Sequence, residues 1–205
     1  MVKTKNLLRR VDYLNEFGRM SRDCLMKGCG FSNKLLRRPY IGIVNGYGEI
    51  NPGASHLWNV SKKVKASILK AGGTPVEFFI SSICPAMCHG GDNYRWTLPW
   101  RDITAAYIEA TSEINYFDGL VIITVCDDAI PANLMAPVRL GLPTIVIPGG
   151  TMIPGEYKGE TIDKAYLYNK FVQLKKGKLD KTTFNRIHDL AIPGAGACNN
   201  IMRGQ

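Results

Sequence analysis

Four apolar runs, separated by stretches of helical periodicity, set the pattern of the chain. The first, Tyr40–Asn45 (YIGIVN), is short and ends at Gly46, as a buried strand does. From His56 the apolar positions Leu57, Val60, Val64, Ile68 and Ala71 recur every three or four residues, one face of a helix that Gly72 and Gly73 end. Pro75–Ser81 (PVEFFIS) reads as the next strand, and Ile103, Tyr107, Ala110 and Ile114 mark another helix. Asp118-Gly119 turns the chain into Leu120–Val125 (LVIITV), a continuous run expected of a parallel strand covered on both faces. Pro131–Leu140 reads as a short helix and Thr144–Ile147 as a further strand. The last third is more polar and helical, with Phe171, Leu174, Phe184 and Ile187 expected to face inward.

Strands that alternate with helices predict an α/β three-layer domain, its mainly parallel central sheet flanked by helices. In such sheets chemistry gathers past the C-terminal ends of the strands. Three polar, Gly- or Pro-containing segments sit there: Gly46–His56, Ser82–Trp96 and Cys126–Asn133. Gly149–Gly159 (GGTMIPGEYKG) lacks the GxxxxGK[ST] order of a phosphate cradle and is expected to be an ordinary surface loop.

Composition narrows the function classes. A length of 205 residues allows one good core. No apolar run reaches the length of a membrane span, and no secretory signal pattern opens the chain, so a cytoplasmic protein is expected. The net charge of +9 is uneven: up to Arg38 there are ten Lys and Arg against three acids. Residues 1–38 therefore read as a basic N-terminal arm or helix, either solvated or docked on a partner. No zinc finger, RNA-binding motif or regular aromatic spacing accompanies it, so nucleic acid is not the expected partner. The six cysteines (Cys24, Cys29, Cys84, Cys88, Cys126, Cys198) form no CxxC pair and no zinc spacing. Reduced thiols are expected, and taken alone each reads as buried structural sulfur.

Context promotes some of them. RPYIGIVNGYGEINPGASHL, AGGTPVEF, LPWRD, FDGLVIITVCDDAIPANLMAPVRLGLPTIVIPGGTM and IPGAGACNN follow one another from Arg38. In order and spacing they resemble the IlvD/Edd dehydratase family, which includes dihydroxy-acid, phosphogluconate and sugar-acid dehydratases. The resemblance implies that residues 39–205 are that family's N-terminal α/β domain. It also implies a hydro-lyase turning 2,3-dihydroxy acids into 2-keto acids with an iron–sulfur cluster, two-iron or four-iron, and Mg²⁺. Soft thiolates suit the cluster and hard carboxylates suit Mg²⁺.

Carried over by position, Cys126 and Cys198 fall on cluster ligands, Asp127 falls on a Mg²⁺ ligand, and His56 has a supporting role beside the cluster. The chain also departs from the pattern. Gly53 stands where the first cluster cysteine follows Asn51-Pro52, and Pro85 stands near an acidic Mg²⁺ ligand. Asp128 replaces a lysine that binds Mg²⁺ in carbamylated form, and still offers oxygen. Cys84 and Cys88 in ICPAMCHGGD are the candidate replacements for the missing thiolate, with His89 and Asp92 as further donors. In relatives the chain continues into a β-rich domain carrying the serine base, whereas this sequence stops at Gln205. The expected partners are thus a small hydroxy acid, a separate C-terminal β-domain subunit and further copies of the chain, with no membrane. A silent scaffold that has lost its metals is the alternative.

Overall fold

The computed structural model describes residues 8–197. Its centre is a four-stranded sheet of β1 (Tyr40–Asn45), β2 (Thr74–Phe79), β3 (Gly119–Thr124) and β4 (Thr144–Pro148). The order is β2-β1-β3-β4 and every pairing is parallel, with Val44 opposite Phe78 on one side and Ile122 on the other. All six residues of β3 are buried, as its unbroken apolar run predicts. Each strand that the sequence predicts is present, shifted by no more than two residues at an end.

Alternation along the strands builds the two cores. Ile43, Val121 and Ile123 point to one face, where Leu57 and Val64 of α4 (Leu57–Lys70) cover them. Tyr40, Val44, Leu120 and Ile122 point to the other, against Ile108 of α5 (Thr97–Asn115) and Ala136 of α6 (Ala129–Leu140). The result is the three-layer α/β arrangement. One expected face is corrected. Ile103, Tyr107 and Ile114 of α5 are exposed, at 64%, 48% and 73%, while Thr104, Ala105, Ile108 and Ser112 turn inward. These mostly small residues let α5 approach α6, whose Ala129, Ala132 and Ala136 are fully buried.

Beyond β4 the Gly149–Gly159 segment is not a plain loop. Its end forms β5 (Gly155–Tyr157), which pairs antiparallel with β6 (Glu160–Ile162). Two helices follow, α7 (Lys164–Lys175) and α8 (Lys181–Leu190), whose first turns are capped by Asp163 and Asp180. Ile162, Ile187 and Ala191 make a small third core beneath them. Phe171, expected inside, is 46% exposed and leans on Phe184 with ring centroids 5.9 Å apart.

The described part of the basic segment, from residue 8, is largely helical and docks on this same chain as α1 (Arg9–Tyr13), α2 (Glu16–Gly28) and α3 (Asn33–Leu36). Arg10 is 5% exposed, lies over the Tyr40 ring at 4.2 Å, and donates to the carbonyls of Leu36 and Arg38. Arg9 and Arg22 donate to the carbonyls of Phe117 and Asn115, at the negative end of α5. Asp118 ties these parts together. One carboxylate oxygen accepts from the Arg9 amide at 2.6 Å and the other from the Tyr40 amide at 2.7 Å, with the Arg10 guanidinium 3.6 Å away.

At the opposite end of the sheet Glu77, its side chain 5% exposed, plays a similar part. It accepts from Asn45 Nδ2 at 2.8 Å and from the Ser61 hydroxyl, and pairs with Lys65. Burial alone would push its carboxyl up; the hydrogen bonds from Lys65, Ser61 and Asn45 override that and hold it below the ordinary carboxylate range.

Two stability tests follow from these carboxylates. Asp118→Ala leaves Arg10 buried without its counter-charge and should lower unfolding free energy by about 3 kcal/mol in urea titrations. A loss below about 0.5 kcal/mol would show that the contacts are incidental. For Glu77 the folded pKa lies below the unfolded value of about 4.3. Its contribution is therefore complete above that value and disappears as pH falls through the folded pKa. The stability gap between the wild type and Glu77→Gln should be constant above about pH 6 and shrink below about pH 4. A gap equal at both ends of that range would contradict the assignment.

Candidate functional site

A parallel sheet delivers the loops after β1, β2 and β3 to one edge, and side-chain hydrogen bonds lock the three together. After β1, Asn45 Oδ1 accepts from the Tyr47 amide at 2.9 Å, turning the chain out of the strand. Asn51, 4% exposed, then bridges two loops. Its Nδ2 donates to the carbonyl of Ser82 after β2, and its Oδ1 accepts from the Ala54 amide at 3.1 Å. Gly53 lies directly beside it and is buried. A β-carbon there would sit 3.0 Å from Asn51 Oδ1 and 3.2 Å from Val125 Cγ2. The space a longer side chain would need is thus narrow, though not closed.

After β3 comes Cys126, 7% exposed, with φ of +77°. A non-glycine residue rarely adopts that conformation, and such strain persists where surroundings impose it, often at functional sites. The Cys126 thiol donates to Asp127 Oδ1 at 3.1 Å. Asp127 itself is exposed. Asp128 is 6% exposed and is held by Arg101 of α5, whose Nε donates to Oδ1 at 2.8 Å and whose terminal nitrogen reaches the same oxygen. The second donor oxygen expected for Mg²⁺ is therefore engaged by a guanidinium.

The loop after β2 divides the two candidate replacement thiols. Cys84, together with Gly53, Cys126 and the Gly196-Ala197 backbone, lines one small cavity at the strand ends. Cys88 does not; it sits in the following 3-10 turn, where its thiol donates to the Pro85 carbonyl at 3.3 Å. Both cysteines line a neighbouring open pocket of about 320 Å³, walled by Ile50, Met87, Trp96 and Trp100. His89 and Asp92 are exposed and absent from the lining of either space; His89 leans on the Tyr94 ring at 5.7 Å. Pro85 is buried and lines the open pocket.

Two parts of the site escaped the sequence reading. Arg101 lies in the LPWRD stretch and carries no signal of its own until Asp128 is seen against it. Residues 149–152, expected to be plain loop, receive the end of the described chain: Ala197 bridges Thr151 and donates to the Gly150 carbonyl at 2.9 Å, while the Gly196 amide donates to Pro52 O at 3.0 Å. His56 Nε2 lies 2.6 Å from the Gly149 carbonyl. A carbonyl only accepts, so Nε2 carries the proton and the buried Nδ1 is left without a partner among the described residues. Gly149 can be nothing larger, since a β-carbon would collide with Val125 and Leu57. Cys198 lies outside the described residues, one position beyond the Ala197 that borders the cavity. Among the described residues no three Cys, His, Asp or Glu side chains form a ready metal group. The soft donors at the cavity, Cys84 and Cys126, nonetheless suit iron–sulfur chemistry, and the exposed Asp127 suits a hard cation completed by water and substrate.

Known proteins share this arrangement of sequence. The family described as dihydroxy-acid/6-phosphogluconate dehydratase N-terminal matches residues 38–203. A dihydroxy-acid dehydratase of Pyrococcus abyssi is 39% identical over 174 residues, and that of Pyrococcus furiosus is 38% identical over 174; each alignment covers 85% of this chain and 32% of the relative. The enzyme of Methanococcus maripaludis is 37% identical over 177 residues, 86% of this chain and 32% of its own. The chain thus spans about a third of the length of the curated relatives that it matches. It belongs to the dihydroxy-acid/6-phosphogluconate dehydratase family, through that family's N-terminal domain.

Proposed function

We propose that the chain provides the metal-binding part of a hydro-lyase that converts a 2,3-dihydroxy carboxylic acid into a 2-keto acid. The observation that carries this reading is Cys126-Asp127, a thiol and a carboxylate presented side by side at the strained end of β3. Overall, the substrate loses its C2 proton and its C3 hydroxyl as water, and the resulting enol becomes the keto acid. When bound, an iron–sulfur cluster, to which Cys126 would offer sulfur, would supply a Lewis acid for the leaving hydroxyl, and Mg²⁺, to which Asp127 would offer oxygen, would acidify the C2 proton.

The residues of this chain prepare that site. Cys126 provides soft sulfur from a buried position whose left-handed backbone its surroundings impose. Asp127 faces solvent, where a hydrated cation and the substrate carboxylate can reach it. Arg101 fixes Asp128, the residue just before α6, and so sets the direction of the Cys126-Asp127 pair. The adjoining pocket is walled mainly by Ile50, Met87, Trp96 and Trp100, with few polar groups. Such walls favour a dihydroxy acid with an aliphatic tail over a sugar acid, whose hydroxyls would lose hydrogen bonds to water there. The name shared by the relatives, dihydroxy-acid dehydratase, agrees with that preference. The base for the C2 proton is sought on a C-terminal β domain of the family type.

A keto-acid assay tests the proposal. The chain, reconstituted anaerobically with iron, sulfide and Mg²⁺, is assayed with an aliphatic dihydroxy acid, alone and with a family β-domain polypeptide added. Turnover is expected to be far faster in the mixture, because a positioned base contributes about two to four orders of magnitude. Cys126→Ser should abolish it. Equally fast turnover by the chain alone would place the base within these residues. Silence in both samples would favour a scaffold that kept the fold after Gly53 and Pro85 removed two metal ligands.

A further inference from the structure

We propose that Cys84 replaces the thiolate that Gly53 lacks, so that the metal site of this chain draws its sulfur from the loops after β2 and β3 together. The inference rests on the dehydratase reading for the identity of the metal group, but its geometry is independent of it. Cys84 precedes the 3-10 turn after β2, and Cys126 follows β3; in sequence they are 42 positions apart, as their numbers show. The fold nevertheless puts both on the wall of one cavity, and the third wall is Gly53 itself. A side chain on Gly53 would start between Asn51 Oδ1 and Val125 Cγ2, at the border of the same space. The vacant donor position and the additional cysteine therefore face a common volume.

The framework around Cys84 is built to hold it there. Asn51 Nδ2 is bonded to the carbonyl of Ser82, two residues before Cys84, and Asn51 stands two residues before Gly53. The loop that has lost its sulfur is thus tied directly to the loop that has acquired one. Buried Pro85 follows Cys84 and limits the backbone on its far side. The same proline removes a carboxylate that the family pattern places nearby, so one short stretch exchanges a hard donor for a soft one. Cys88, the other candidate, lines only the outer pocket and its thiol is turned to its own 3-10 turn. On binding iron, each thiol gives its proton to solvent and the thiolate forms the bond.

The test compares cluster retention in single variants of the full chain. Wild type, Cys84→Ser, Cys88→Ser, Cys126→Ser, Gly53→Cys and the double variant Gly53→Cys/Cys84→Ser are reconstituted anaerobically with iron and sulfide and then desalted. Iron and sulfide per chain and the visible spectrum are measured, with circular dichroism confirming that each variant is folded. Wild type and Cys88→Ser should retain equal cluster, Cys84→Ser and Cys126→Ser at least about tenfold less, and the double variant should recover it. A second measurement needs no substitution: thiol alkylation read by mass spectrometry should spare Cys84 and Cys126 in the loaded protein, while Cys24, Cys29 and Cys88 react. Cys84→Ser retaining as much cluster as wild type would overturn the proposal and leave the dehydratase reading intact. Wild type that stays empty while Gly53→Cys alone fills would do the same. No cluster in any variant would overturn both.

Discussion

Because all four strands run parallel, the chain must leave every one of them along the same edge, and that constraint places the rest of the molecule. The loops after β1, β2 and β3 have no choice but to meet, and β3, buried on both faces, is the rigid member against which they are set. The opposite edge is equally determined. There Asp118 gathers Arg9, Arg10 and the Tyr40 amide, which seals the strand starts with the chain's own basic segment. Three of its basic residues, Arg9, Arg10 and Arg22, serve carbonyls at the end of α5 and a buried carboxylate. The sheet thus has a structural end and a chemical end.

At the chemical end, polar side chains rather than apolar packing do the joining. Asn45 and Asn51 each bond across two segments, Arg101 reaches from α5 to Asp128, and His56 bonds the Gly149 carbonyl. Buried polar groups of this kind are costly unless paired, so each pairing restricts the loops to one arrangement. That restriction is what a metal site needs, because donors must be in place before the metal arrives. The departures at Gly53 and Pro85 read differently in this light. Removing a donor from one loop need not destroy a site whose neighbouring loop is fastened to it and carries sulfur.

The strands were legible because a buried parallel strand writes itself as an apolar run, and LVIITV could be little else. The inner face of α5 was not, because large residues catch the eye while Thr104, Ala105 and Ser112 make the close contact with α6. Cys126 and Asp127 were legible through family spacing. The distinction between Cys84 and Cys88 was not, since only three residues lie between them and the 3-10 turn decides which cysteine lines the cavity beside Gly53. Arg101 and the Gly149–Met152 segment stayed hidden for a related reason: their partners, Asp128, His56 and the Gly196-Ala197 backbone, are distant in sequence. Contacts across loops leave no period to read.

The central claim is that Cys84 and Cys126 form one thiolate site at the strand ends. Cadmium binds thiolates tightly, needs no sulfide and reports them by charge-transfer absorption, so titration of the reduced chain with cadmium tests it most directly. The account predicts one tight site per chain whose absorption falls sharply in Cys84→Ser and in Cys126→Ser and is unchanged in Cys88→Ser. A signal that survives both of the first two substitutions, or that depends on Cys24, Cys29 or Cys88 instead, would contradict it.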